Sequence, residues 1–213
     1  MISSAFKLLD YPGPPAMTPE APDYELELRG VLLDPEQAVK LEAPGSTRAA
    51  VLVPLYPSEK GLVAVFTRRR SDLRRHSGEM SFPGGRQDPD ESLWHTALRE
   101  ADEEIGLQPE SVRLVGALPP IGTFVTSYAV YPFVGMIEPD TQFRASPHEV
   151  EEVIELALAD LAAGFERKRL IRRGVPIKTP TYTVRGHLIW GATARMVEQL
   201  LERVAPLLGP HEQ

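Results

Sequence analysis

Between Asp88 and Glu104 the chain carries seven acidic residues, a single arginine at Arg99 and no lysine. Within that stretch Leu93, Trp94, Ala97, Leu98, Ala101 and Ile105 recur at three- to four-residue spacing, so 91–105 reads as a helix with one apolar stripe. At about 100° per residue, Glu100, Glu103 and Glu104 line one edge of that stripe. Like charges at Glu100 and Glu104 cost an isolated helix roughly 0.2–0.5 kcal/mol. Glu104 also lies at the boundary of the apolar arc, where an unpaired carboxylate is costly to desolvate. A solvated acidic face is the alternative, but such faces intersperse lysine. A bound cation answers both costs. The chain has no cysteine, which excludes disulfides, thiolate metal sites and a cysteine nucleophile. Oxygen ligands then point to Mg2+ or Mn2+.

Immediately upstream, Arg68, Arg69, Arg70, Arg74, Arg75 and His76 surround a single acid, Asp72. A run of charge is usually a solvated face. This one is delivered by Phe82-Pro83-Gly84-Gly85 straight into the acidic helix. Guanidinium forks bind phosphate oxygens in pairs, and a cation beside them suits a pyrophosphate held between two larger groups. A second acidic cluster, Glu149, Glu151 and Glu152, lies far along the chain and reads either as a source of a general base or as an exposed strand edge.

The helix and the loop before it resemble the Nudix box, which reads Gly, five residues, Glu, seven residues, then Arg-Glu-hydrophobic-x-Glu-Glu-x-Gly-hydrophobic. Here Gly85, Glu91, Arg99-Glu100-Ala101, Glu103-Glu104, Gly106 and Leu107 fill it, with Ala101 small for its slot. The resemblance implies a divalent-metal-dependent pyrophosphohydrolase on an α/β/α sandwich, a mixed β-sheet flanked by helices. It implies Glu100, Glu103 and Glu104 as metal ligands, joined by a carbonyl of Gly84 or Gly85. Arg99 would orient the glutamates, and Glu91 would support the turn into the helix. The upstream stretch is similar to the motif of coenzyme A pyrophosphatases within that family, through Phe66-Thr67-Arg68-Arg69, Arg74, Gly78 and Phe82-Pro83-Gly84-Gly85. It departs from the motif at Arg70, where a small residue is expected. The stretch Ile189-Trp190-Gly191-Ala192 through Arg195-Met196 also looks like this subgroup. Likeness to the subgroup implies cleavage of coenzyme A or acyl-coenzyme A to adenosine 3′,5′-bisphosphate and 4′-phosphopantetheine. Substrate would be bound by Arg69, Arg74, Gly84 and Gly85, with Glu100 or one of Glu149, Glu151 and Glu152 as base. Other nucleoside diphosphate derivatives (ADP-ribose, a dinucleotide, a nucleoside triphosphate) and a non-catalytic nucleotide-binding module are the alternatives.

The elements that must position these residues are legible as an α+β pattern in one domain, 24–213, preceded by a proline-rich arm, 1–23. Five prolines between Tyr11 and Pro22 keep the arm out of the core, either as a disordered leader or as an arm packed or swapped in a homodimer. Ala49–Tyr56 and Gly61–Thr67 read as a hairpin across Pro57-Ser58-Glu59-Lys60. Val112–Leu118, Ala129–Ile137 and Val150–Leu158 read as further strands, and Gly191–Leu207 as a helix packed on the sheet through Met196, Val197, Leu200, Leu201 and Val204. Asp88, Pro89 and Glu91 suggest the cap, first position and capping box of the acidic helix, with Gly106 as its stop. The formal charge of -7 gives no general attraction to nucleic acid or anionic membrane. No apolar run reaches the roughly 18 residues of a membrane span, and the opening residues are too short and polar for a signal peptide, so a cytoplasmic location is expected.

Overall fold

Asp23 caps a short helix, Tyr24–Val31 (α1), by accepting from the Leu26 N–H at 3.2 Å, and Asp34 caps the single turn Pro35–Ala38 (α2) in the same way. This computed structural model describes residues 22–70, 78–123, 127–172 and 175–207, and only the backbone of 170–172 and 175–178. The proline-rich arm therefore lies outside the described residues, except for Pro22 and Asp23.

After α2 the chain forms Thr47–Ser58 (β1) and Gly61–Arg69 (β2), joined by a tight turn at Glu59 and Lys60. Strand β1 runs two residues further into the turn than the proline at 57 suggested, and β2 starts at Gly61 as expected. Two short strands follow, Met80–Ser81 (β3) and Gly84–Arg86 (β4), and then the acidic helix, Leu93–Ile105 (α3). Arg113–Ala117 (β5), Ile121–Gly122 (β6), Tyr128–Met136 (β7) and Val150–Ala157 (β8) come next. The chain closes with Leu158–Ala163 (α4), Phe165–Arg172 (β9), Val175–Val184 (β10), His187–Ile189 (β11) and Gly191–Val204 (α5).

Among the described residues, eight strands share one sheet, with β3-β2-β1-β7-β5 as its main path. Strand β4 pairs with β1, β6 with β7, and β8 with β2. Strands β1 and β7 are parallel from Thr47↔Tyr128 to Leu55↔Met136, and the other pairs are antiparallel, so the sheet is mixed. Because β1 lies inside the sheet with both faces covered, Ala49 to Leu55 are buried without a break. Val51, Val53 and Leu55 pack with α5 and Leu28 of α1 on one face; Ala50 and Leu52 pack with Ala97, Leu98 and Ala101 of α3 on the other. The result is the expected α+β architecture, a mixed sheet between helices. Strands β9, β10 and β11 form a separate antiparallel sheet that the sequence pattern did not announce, since Glu166-Arg167-Lys168-Arg169 carries no apolar alternation.

The start of α3 differs from the sequence expectation. Ser92, not Asp88, is its cap, accepting from the His95 N–H at 3.2 Å. Asp90 has φ 64, which takes the backbone out of the helical region, while Glu91 Oε2 still accepts from the Asp88 N–H at 3.5 Å, as expected of it, and the same carboxylate also receives Thr96 and Arg99. Gly106, at φ 69, ends the helix in the left-handed conformation expected of it. No helix among the described residues is long and apolar enough to cross a membrane.

Phe66, fully buried on β2, stacks on Phe82 with ring centroids 4.5 Å apart, and so ties the sheet to the loop that leads into α3. Phe66→Ala should lower stability by about 3–5 kcal/mol, read as a shifted midpoint in urea unfolding followed by circular dichroism. A loss below roughly 1 kcal/mol would show that this stack is not part of the cooperative core.

Candidate active site

Helix α3 is amphipathic, and the way its apolar side lies on the sheet sets the depth of each acid. Ala97, Ala101 and Ile105 are fully buried, which draws Glu104 in to 8% exposure. The Glu100 side chain is partly buried, and that of Glu103 stays 59% exposed. Strand β4 crosses beside the helix, held by the pairs Ala50↔Gly85 and Val51↔Gly84. Both glycines lie close to their neighbours. A Cβ on Gly85 would stand 2.5 Å from the Glu100 carboxylate, and one on Gly84 would stand 2.4 Å from the Ala50 carbonyl oxygen. The Gly84 N–H donates to Glu104 Oε2 at 3.4 Å.

Arg99 is the hub of this cluster. Its Nε donates to Glu91 Oε1 at 3.1 Å, its Nη2 to Glu91 Oε2 and the Arg86 carbonyl, each at 3.2 Å, and its Nη1 to Glu100 Oε1 at 2.9 Å. Glu103, one turn further on, lies 3.3 Å from the same Nη1. Thr96 donates to Glu91 Oε2 at 2.7 Å, so Glu91 is held from two sides. Thr96 escaped sequence reasoning because its hydroxyl and Glu91 meet only once Asp90 has turned the backbone back on itself.

These contacts separate the carboxylates electrostatically. Burial would raise Glu91, but hydrogen bonds from Arg99 and Thr96 outweigh it and hold Glu91 below the usual carboxylate range. Burial raises Glu100, Arg99 partly opposes this, and the charges of Glu103 and Glu149 add to it. Glu104 is pushed up to about 8, first by burial and then by the charges of Glu100 and Glu149, against weaker help from the Gly84 N–H and Arg69. The acid set therefore holds more negative charge than its cations compensate. Among the described residues, no three acidic or imidazole groups converge in a closed ligand cage, and Glu100 and Glu103 are turned toward Arg99. Hard oxygen donors of excess charge at the edge of a buried face are nonetheless the chemistry that a divalent cation fits.

Strand β2 brings the arginines in from the other side. Arg69 ends the strand, opposite Val150 of β8, and its Nη1 lies 3.7 Å from Glu149 Oε2. Arg69, Glu149, Glu100 and Glu104 thus share one electrostatic neighbourhood. Arg70 Nη1 donates to the Pro147 carbonyl at 2.7 Å. Of the distant acidic cluster, only Glu149 joins the site in this way, because Glu151 and Glu152 pair with Arg68 at 3.5 and 2.9 Å. Arg74, Arg75 and His76 lie outside the described residues.

A model of the NUDIX domain matches residues 46–174, a span that holds the acidic helix, the glycines of β4 and the arginines of β2. The uncharacterized Nudix hydrolase NudL of Escherichia coli O139:H28 is 38% identical over 182 residues, covering 84% of this chain and 92% of that protein. The protein of the same description from Cronobacter sakazakii is 41% identical over 157 residues, covering 72% and 80%. Among solved structures, the NUDIX domain of Shewanella oneidensis NrtR complexed with ADP ribose shares the fold, with a TM-score of 0.52 at 18% identity over 80% of this chain and 93% of that one. So does the Nudix hydrolase RenU of M. smegmatis, with a TM-score of 0.52 at 15% identity over 85% and 98%. With every position of the box carried by α3 and the β4 loop, and relatives this similar over most of their length, the chain belongs to the Nudix hydrolase family.

Proposed function

We propose that this Nudix hydrolase cleaves the pyrophosphate of coenzyme A or an acyl-coenzyme A, releasing adenosine 3′,5′-bisphosphate and 4′-phosphopantetheine or its acyl form. The observation that carries the reading is the place of Arg69. It is the arginine that the coenzyme A motif assigns to phosphate, and it stands at the end of β2 beside Glu149 and within the field of Glu104. Its side chain is 39% exposed, so it can exchange Glu149 for a phosphate oxygen at little desolvation cost.

Nudix hydrolases work with divalent metal ions such as Mg2+. In this reading Glu100, Glu103 and Glu104 hold Mg2+ or Mn2+, with a carbonyl of Gly84 or Gly85. When bound, the ion neutralises charge on the phosphate oxygens and lowers the pKa of a water. Arg69 and Arg74 grip the substrate phosphates, with the backbone of Gly84 and Gly85 close by. Arg99, anchored by Glu91, holds Glu100 and Glu103 in register, as supporting groups do around metal ligands. The water's proton passes to Glu149 or Glu100, since Glu151 and Glu152 are committed to Arg68.

A mass-resolved product assay with Mg2+ or Mn2+ tests the substrate, offering coenzyme A, acetyl-coenzyme A, ADP-ribose, NADH and a nucleoside triphosphate in parallel. Adenosine 3′,5′-bisphosphate from coenzyme A or its acetyl form is expected; turnover of another member alone would overturn the assignment while leaving the family's chemistry intact. Glu103→Gln should cost several kcal/mol of transition-state stabilisation, and near-normal turnover in the folded variant would remove Glu103 from the ligand set. Gly85→Ala is a sharper probe of geometry. The new methyl meets the flexible end of Glu100, so the protein should fold normally and lose about 10- to 100-fold in activity. An unchanged kcat/KM with an unchanged melting temperature would show that the position of Glu100 does not matter.

A further inference from the structure

Arg70 stands one position past the end of β2, where the coenzyme A motif carries a small residue. Its side chain and its backbone both hold the turn that delivers Glu149. The guanidinium Nη1 donates to the Pro147 carbonyl at 2.7 Å, and the backbone N–H donates to the Glu149 carbonyl at 3.0 Å. A hydrogen bond from a charged donor is shorter and stronger than a neutral one.

That turn, Ser146-Pro147-His148-Glu149, is built to be carried as one piece. Pro147 fixes its own φ, and the Ser146 carbonyl accepts from the N–H groups of Glu149 at 3.2 Å and Val150 at 2.9 Å. On its other side the Ser146 N–H donates to the Glu104 carbonyl at 2.8 Å, at the C-terminal end of α3. The turn therefore spans from α3 to β2. The pairing of β2 with β8 slips at the same point, where Arg68 faces Glu152 and Arg69 faces Val150, so that Glu151 is the extra residue. Such a bulge re-aims the side chains next to it. The outcome is a Glu149 carboxylate 3.7 Å from Arg69 Nη1, near enough to Glu100 and Glu104 for its charge to act on both.

Burial does not fix Glu149 in this place. Its side chain is 53% exposed, and an exposed ion pair with Arg69 is too weak to hold a single rotamer. The backbone of the turn sets its position, and the Arg70 guanidinium pins that backbone to β2. We propose that Arg70 is a positioning residue, which holds the turn so that the Glu149 carboxylate stands beside the phosphate site and accepts the proton of the attacking water. This rests on the reading of the chain as a pyrophosphohydrolase with Glu149 as its base, and it gives the departure from the motif at Arg70 a purpose.

A double-mutant cycle on the full chain with Mg2+ tests it, run with whichever member of the substrate panel is turned over. Glu149→Gln should lower kcat by about 100-fold or more, as loss of a general base does. Arg70→Ser restores the small residue of the motif, so the protein should fold normally. It should lower kcat about tenfold through misplacement of Glu149, with KM changed by less than about twofold. Arg70→Lys, which still carries a charged donor, should recover most of that loss. In the Glu149→Gln background Arg70→Ser should cost nothing further, because residues that act through one step are not additive. A loss that persists in that background, or a rise in KM with kcat unchanged, would make Arg70 a phosphate ligand in its own right and overturn the proposal. Normal turnover by folded Glu149→Gln or by folded Arg70→Ser would overturn it too. Arg70→Ala enters the same cycle should Arg70→Ser fail to fold. The substrate panel decides coenzyme A separately. Failure there replaces the substrate and leaves the cycle to be read on another, whereas additive losses in the cycle remove Arg70 and leave the substrate assignment standing.

Discussion

Everything at this site depends on how closely α3 approaches the sheet. The helix touches β1 through Ala97 and Ala101, and β4 slides past it as two consecutive glycines, Gly84 with no space for a Cβ against the β1 backbone and Gly85 facing the Glu100 carboxylate. Small residues on both sides shorten the distance between backbones, and a short distance carries the neighbouring glutamates into partly buried positions. Larger side chains would push the helix outward and return those carboxylates to water, where their charges would be screened and their geometry loose.

Burying acids in this way is unfavourable, and the surrounding structure shows how the cost is distributed. Arg99 spreads one positive charge over Glu91, Glu100 and Glu103, and Glu91 is fixed in turn by Thr96. Glu104 receives only a long backbone hydrogen bond and distant help from Arg69, so its carboxylate stays well above its ordinary pKa. In the function proposed above, a cation bound beside these carboxylates relieves that imbalance, since it removes repulsion that folding had to accept.

The sheet divides the labour of the arginines. At the end of β2 the alternation of a strand sends Arg69 toward the acids and Arg68 toward the other face, and Arg69 pairs with Glu149, just before β8, while Arg68 pairs with Glu152 on it. The three-stranded sheet β9–β11 brings its last hairpin up beside Arg68 through His187 and Leu188.

Much of this was written locally in the chain. The spacing of Leu93, Ala97, Ala101 and Ile105 specifies a helix and an edge of acids, because a helical period of 3.6 residues leaves its trace in any short window. Alternating and continuous apolar runs announced β1, β2, β5, β7 and β8 for the same reason, and Gly106 announced where α3 stops. Tertiary structure decided the rest. The cap stands at Ser92 and not at Asp88 because the positive φ of Asp90 interrupts the helical backbone between them, a turn that the capping pattern does not record. Glu149 reaches the site, while Glu151 and Glu152 turn to Arg68, because the pairing of β8 with β2 shifts register between Arg68 and Arg69. The sheet β9–β11 is assembled by pairing between strands with little apolar signal of their own. Contacts between distant segments depend on strand order and register, which are properties of the whole fold.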